Sequence, residues 1–325
     1  MDFSPHLSTR TFAWDMETES TAWDIGSAVL SGLLLEVSAH PKPGLVTPRS
    51  MGAHRDMDHQ TFLLSSAALA PGLYACARAG LAHPGAAPAL LPELRAIGRA
   101  CDGRLLEATH GVNTQRGALF CGGLVAAAAG RVARTGAPLA AEAVLAEAGR
   151  ITEGMVAREL AASDPAAART AGEILFHRHG STGVRGEAEA GFPTVRQHGL
   201  PALRAALDAG SDLNRALVHA LVALVAEAED STVLWRGGPQ ALAFLKAEAA
   251  QVRGLGGALA EAGLAAIERL DTACVARNLS PGGAADLLAV TVAAYLLENR
   301  RFPVSSTPNS NPVASGRGPD SRRIN

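Results

Sequence analysis

The sequence predicts an all-α fold, and three observations carry that reading. Ala- and Leu-rich segments of helical length recur along the chain, short connectors rich in Gly, Pro and His separate them, and period-two runs of Val, Ile, Thr and aromatics are nearly absent. Of 325 residues, 48% are hydrophobic, enough for one large core, so a single multi-helix globular domain is expected over 21–302. The ends, 1–20 and 303–325, are poor in large apolar residues and rich in Ser, Thr and Pro. They are expected to be disordered extensions.

Helices are expected over roughly 22–39, 59–80, 88–109, 115–134, 138–161, 165–177, 199–209, 211–229, 237–253, 257–277 and 284–299. In the first, Ile25, Ala28, Val29, Leu33 and Val37 fall on one side at about 100° per residue, and Glu36 falls there too. That carboxylate faces inward. Pro71 is expected to kink or split the second helix. The last is strongly apolar and carries Asp286 in its first turn.

A formal net charge of -2 gives no global field, which argues against nucleic-acid binding driven by bulk charge. Cys76, Cys101, Cys121 and Cys274 lie far apart with no CxxC pair, so neither a zinc knuckle nor a disulfide framework is read, and a reducing cytoplasm suits them. The first residues have no basic and apolar signal pattern, and the apolar stretch Gly117 to Gly130 is short for a bilayer span. The expectation is a cytoplasmic protein with no membrane partner.

Polar chemistry concentrates in five connectors, where sites are built on a rigid scaffold. The first, HPKPGLVTPRSMGAHRDMD (40–58), is stiffened by Pro41, Pro43 and Pro48 and holds Lys42, Arg49, His54, Arg55, Asp56 and Asp58. Basic residues beside carboxylates fit phosphate binding with Mg²⁺ or proton transfer. The plainer reading has Asp58 capping the next helix and Lys42 and Arg49 paired with nearby acids. The second, HGVNTQRGALF (110–120), sets Asn113 and Thr114 ahead of a helix whose first turn holds Arg116. It is either an anion site or an ordinary N-cap.

The third, HRHGSTGVRGEAEAGFP (177–193), reads as a Gly-rich loop in which Ser181, Gly183, Arg185, Gly186 and Glu187 can approach phosphate. It lacks the spacing of a Walker loop, and His177 and His179 read as surface residues because i, i+2 does not converge on a helix. In the fourth, EDSTVLWRGG (229–238), Asp230 orients Arg236 toward phosphate or adenine, or the segment is a capped turn with Trp235 in the core. The fifth, NLSPGGAADLLAV (278–290), brings Gly282, Gly283 and Asp286 to a helix start, where an acid gains about 0.3–1 kcal/mol even without function.

The blocks EVSAHPKPGLVTPRSMGAHRDMDHQTFLLSS, GVNTQRGALFCGGL, STGVRGEAEAGFP, DSTVLWRGG and SPGGAADLLA, in this order from Glu36 to the helix ending near Asn299, resemble the triphosphoribosyl-dephospho-CoA synthase family. The resemblance implies a helical transferase that moves the 5-triphosphoribosyl group of ATP to the 2'-hydroxyl of 3'-dephospho-CoA and releases adenine. Its product is the prosthetic-group precursor that a separate transferase passes to the acyl carrier protein of malonate decarboxylase or citrate lyase. Thr47 stands where members serving citrate lyase often carry Asp, and this departure points to the malonate decarboxylase branch.

The family's chemistry inverts the anomeric carbon, which points to one displacement without a covalent glycosyl-enzyme. The reading therefore assigns Asp56 or Asp58 as the base or cation stabiliser, with Glu36 or Glu187 as its partner or a Mg²⁺ ligand. Mg²⁺ is expected at Asp56 and Asp58 through the triphosphate. Lys42, Arg49, Arg55, Arg116, Arg185 and Arg236 are assigned to phosphate, with Asn113, Thr114, Ser181, Gly183, Gly186, Asp230, Gly282, Gly283 and Asp286 as further substrate contacts, and His54 helping adenine to leave. Two other classes use the same residues: a helical nucleotide or ribosyl hydrolase, and a non-catalytic nucleotide-binding module.

Overall fold

The computed structural model describes residues 16–303. Twelve α-helices follow in order: α1 (Met16–Ser38), α2 (His59–Ala82), α3 (Leu91–Ala108), α4 (Arg116–Arg134), α5 (Ala141–Ile151), α6 (Ala171–His179), α7 (Gly183–Glu189), α8 (Leu200–Asp208), α9 (Leu213–Glu227), α10 (Ser231–Gly254), α11 (Glu261–Ala276) and α12 (Gly282–Asn299). Among the described residues the one extended pairing is an isolated bridge between Thr47 and Ser50. The fold is all-α.

Several boundaries differ from the sequence reading, each for a local reason. α1 begins at Met16, so the last residues of the expected N-terminal extension are helical; the rest of that extension, and the tail beyond 303, lie outside the described residues. The helix expected over 138–161 stops at Ile151, and Gly154 then takes φ 71°. α6 starts only after Thr170, which closes a capping box with Glu173. Pro71 lies inside α2 without splitting it. α10 begins directly after Asp230 and bends at Gly238, where φ is 71° just before Pro239.

The core is built where α1, α2, α4 and α12 pack on one another. α4 is buried without interruption from Cys121 to Gly130. Small residues set how closely it meets α2: a Cβ at Gly80 would stand 2.0 Å from the Ala127 carbonyl oxygen, and one at Gly130 2.3 Å from that of Ala77. α12 continues the core toward α9, around which α8, α10 and the π-helical turn Val195–Gly199 assemble. α2 is long and apolar enough to cross a membrane by length and composition, but it is packed by α1, α3 and α4. The four cysteines are free and buried.

Candidate active site

Four of the five polar connectors converge at one cleft of 360 Å³, bounded by α1, the 40–58 connector, the N-termini of α4 and α10, and the first turns of α12. Glu36, Lys42, His54, Asp56, Thr114, Arg116, Arg236, Ser280 and Asp286 line it.

The helical period of α1 places Glu36 inward, as its sequence requires. Lys42 Nζ lies 2.5 Å from Glu36 Oε1 and also donates to the Glu36 carbonyl at 2.7 Å, and both side chains are buried. Burial pushes the Lys42 ammonium below its ordinary pKa, and the Glu36 charge opposes that shift. The turn after Lys42 depends on Gly44, at φ 67°, whose amide donates to Asp271 Oδ1 at 2.7 Å. A side chain at Gly44 would meet the Leu279 carbonyl at 2.1 Å, so this glycine ties the first connector to the fifth.

Arg236 crosses to the same connector. Its Nη1 donates to the Ala53 carbonyl at 3.0 Å and its Nη2 lies 3.4 Å from His54 Nδ1, while His54 Nε2 lies 2.9 Å from Ser280 Oγ. Burial, and then the Arg236 charge, push the His54 pKa down, with Asp56 opposing at 3.9 Å. Both effects favour the neutral imidazole, the form that cannot protonate adenine. It bridges Arg236 and Ser280 instead.

Two acids anchor the helix starts. Asp230 is buried; its Oδ1 accepts from the Thr232 and Val233 amides at 2.9 and 3.1 Å, and its Oδ2 from the Ala284 amide at 2.8 Å. One carboxylate thus caps α10 and α12 together. A Cβ at Gly283 would come 3.1 Å from that carboxylate, so Gly283 serves this junction. Asp286 closes the floor of the cleft, half-buried, with its carboxyl hydrogen-bonded to the Ala118 amide of α4. Burial, followed by the nearby Glu36 and Asp230 charges, pushes its pKa well above the usual carboxyl range. The amides expected to bind an anion at the α4 N-terminus are thus partly taken by Asp286. Thr114 Oγ1, in the cleft wall, is buried without a hydrogen-bond partner, the kind of group a bound ligand satisfies.

The family model described as ATP:dephospho-CoA triphosphoribosyl transferase matches residues 22–302. The chain belongs to this transferase family. It is 39% identical over 91% of its length to a probable 2-(5''-triphosphoribosyl)-3'-dephosphocoenzyme-A synthase of Malonomonas rubra, covering 93% of that protein. To the synthase of Klebsiella pneumoniae it is 43% identical over 83% of its length, covering 90% of that protein. No solved structure matches the chain. As a member of the ATP:dephospho-CoA triphosphoribosyl transferase family it moves the triphosphoribosyl group of ATP to dephospho-CoA, which decides against the hydrolase and binding-module readings.

Within this transferase the cleft gathers Glu36, Lys42, His54, Asp56, Asn113, Thr114, Arg116, Arg236, Gly282 and Asp286 from the sequence assignments. The others stand elsewhere. Asp58 is the exposed N-cap of α2: its Oδ1 accepts from the Thr61 amide at 2.8 Å and from the Thr61 hydroxyl at 2.7 Å, and these bonds hold its pKa low. Arg49 lines a different cavity with His40, Asn214 and Arg215, and Arg55 is exposed outside the cleft. The expected Gly-rich loop is largely helix α7. There Glu187 accepts from the Thr194 amide and hydroxyl at 2.8 and 3.0 Å, and Arg185 pairs with Glu159 at 3.3 Å. A Cβ at Gly183 would come 3.3 Å from Ser231 Cβ, one at Gly186 would collide with the Thr182 side chain, and Ser181 Oγ is buried without a partner.

Trp235, placed in the core by the capped-turn alternative, is exposed. Sequence reasoning missed Ser280, Thr232 and Gln115, which also line the cleft. Ser280 and Thr232 lie inside quoted blocks, so position in those blocks was the available signal. Gln115, whose Oε1 accepts from Ser65 and Ser66 at 2.8 and 3.1 Å, lies inside the block GVNTQRGALFCGGL as well.

Proposed function

We propose that the Asp286 cleft is where the triphosphoribosyl transfer takes place, and that Asp286 and Asp56 are its acid and base. The observation that carries this reading is geometric: Asp286, on the cleft floor, and exposed Asp56 open on the same cleft as Arg236 and the unpartnered Thr114 hydroxyl. Burial favours the protonated form of Asp286, which suits a proton donor. In this reading Asp286 gives its proton to the departing adenine as the glycosidic C–N bond breaks. Asp56 takes the proton of the 2'-hydroxyl as the new C–O bond forms on the opposite face. Arg236 meets the triphosphate, Thr114 supplies a hydroxyl, and the Glu36–Lys42 pair holds the wall behind Asp286.

Mg²⁺ belongs with the triphosphate in this reading. Among the described residues no group of three His, Cys, Asp or Glu side chains converges, and Asp58 is engaged in its cap. Asp56 alone of the two assigned ligands faces the cleft, which fits a cation held by one or two carboxylates plus substrate phosphates. The cation supplies charge neutralisation when bound.

The pathway reading is the malonate decarboxylase branch, supported by Thr47 and by similarity to the Malonomonas rubra protein. The product then goes to a separate transferase that loads the acyl carrier protein. Four free, buried cysteines support a cytoplasmic setting. The deciding experiment incubates the protein with ATP, Mg²⁺ and 3'-dephospho-CoA and follows free adenine and product mass. Adenine formed only with the acceptor, beside the heavier CoA adduct, is the expected result; loss of both in Asp286→Ala and Asp56→Ala supports the site. Full activity in both variants would move the chemistry elsewhere.

A further inference from the structure

A second cavity, of 540 Å³, lies between α3, α4, α6 and α7 and shares Arg116 with the cleft. Its wall is mostly apolar, including Leu91, Leu94, Leu119 and Phe120, yet Arg95, Arg99 and Arg185 also open on it. Arg95 and Arg185 share the single carboxylate of Glu159. Arg116 is bidentate on Asp102, at 2.5 and 2.8 Å. Arg99 has no ion-pair or hydrogen-bond partner among the described residues. Four guanidinium groups thus face the carboxylates of Glu159 and Asp102, with Glu173 also near Arg185, and the excess positive charge stands beside an apolar wall.

The reaction needs room for two nucleotide substrates, and a 360 Å³ cleft is the size of a site for one small ligand. The acceptor has two chemically distinct parts, a doubly charged diphosphate and a long, uncharged arm with geminal methyl groups and amides. An apolar trough ending in arginines matches that order.

We propose that this second cavity takes the pantetheine arm and diphosphate of dephospho-CoA, with Arg99 and Arg116 on the diphosphate, so that the acceptor ribose reaches the cleft past Arg116. The proposal rests on placing the transfer in the Asp286 cleft.

Gly98 provides the test. It lies on α3 and lines the cavity, and a Cβ there meets nothing within 4 Å, so Gly98→Trp puts an indole into the trough without backbone strain. Arg99→Ala, at an exposed residue, removes charge without disturbing the core. Both variants are expected to raise KM for dephospho-CoA by roughly tenfold or more while leaving KM for ATP unchanged. Calorimetric titration with dephospho-CoA alone should show binding to the parent protein and its loss in Gly98→Trp. A rise confined to KM for ATP would assign the arginines to the triphosphate and overturn the proposal, as would unchanged KM values for both substrates. If Asp286→Ala and Asp56→Ala both keep full activity, the cleft reading fails, and the titration still decides the cavity: equal acceptor affinity in parent and Gly98→Trp rejects it, and binding lost only in the variant supports it.

Discussion

Gly117 makes the space that Asp286 occupies: a Cβ at 117 would stand 1.9 Å from Asp286 Oδ2. No contact distance allows that, so Gly117→Ala must push the acid off its position at the α4 N-terminus. Turnover is expected to fall by about tenfold or more, because a small displacement of a proton donor costs heavily. Circular dichroism should show the helical fold retained. Activity equal to the parent would mean that the Asp286 position does not matter to the chemistry.

Asp286→Asn separates function from stability. Removing the proton donor should lower turnover by about 10²-fold. The raised pKa has a definite sign for stability: above the ordinary carboxyl range the folded state keeps a proton that the unfolded chain has lost, so folding weakens as pH rises from there toward the raised value. Asparagine has no such penalty. The variant should therefore melt higher than the parent at neutral pH, and the gain should shrink as pH falls toward about 4. A variant that melts lower at neutral pH would contradict the burial argument.

Asp58 gives the opposite pattern. Its side chain closes the capping box of α2 and is absent from the cleft. Asp58→Asn keeps an acceptor for the Thr61 amide and should leave turnover near normal. Asp58→Ala should lower the melting temperature with little change in KM or kcat. A hundredfold loss of turnover in a folded Asp58→Asn protein would return the base role to this residue.

What the sequence revealed depended on how local each cause is. The inward face of Glu36 follows from the period of one helix, and the capping alternative for Asp58 from the residues beside it. The Arg236–His54 contact joins residues 182 positions apart, and the bond from Ala284 to Asp230 spans 54; no pattern along the chain encodes either. The block 181–193 reads as a loop because of its glycines, while the structure uses Thr182, Gly186 and Glu187 within and around a short helix. The family match covers both outcomes alike, so it names the reaction without sorting Glu187 from Asp286.

Lys42 and Glu36 test what a buried ion pair does here. Lys42 is 1% exposed, so Lys42→Met leaves the Glu36 carboxylate buried without its counter-charge. That loss should cost about 3–5 kcal/mol of stability, read as a drop in the denaturant midpoint. Adding Glu36→Gln to Lys42→Met removes the stranded charge, and the double variant should recover much of the lost stability, since replacing both partners of a buried pair is often close to neutral. Turnover should not recover with it if the pair positions the wall behind Asp286. Recovery of stability and turnover together would reduce the pair to a structural contact; recovery of neither would mean that Lys42 is held by more than Glu36.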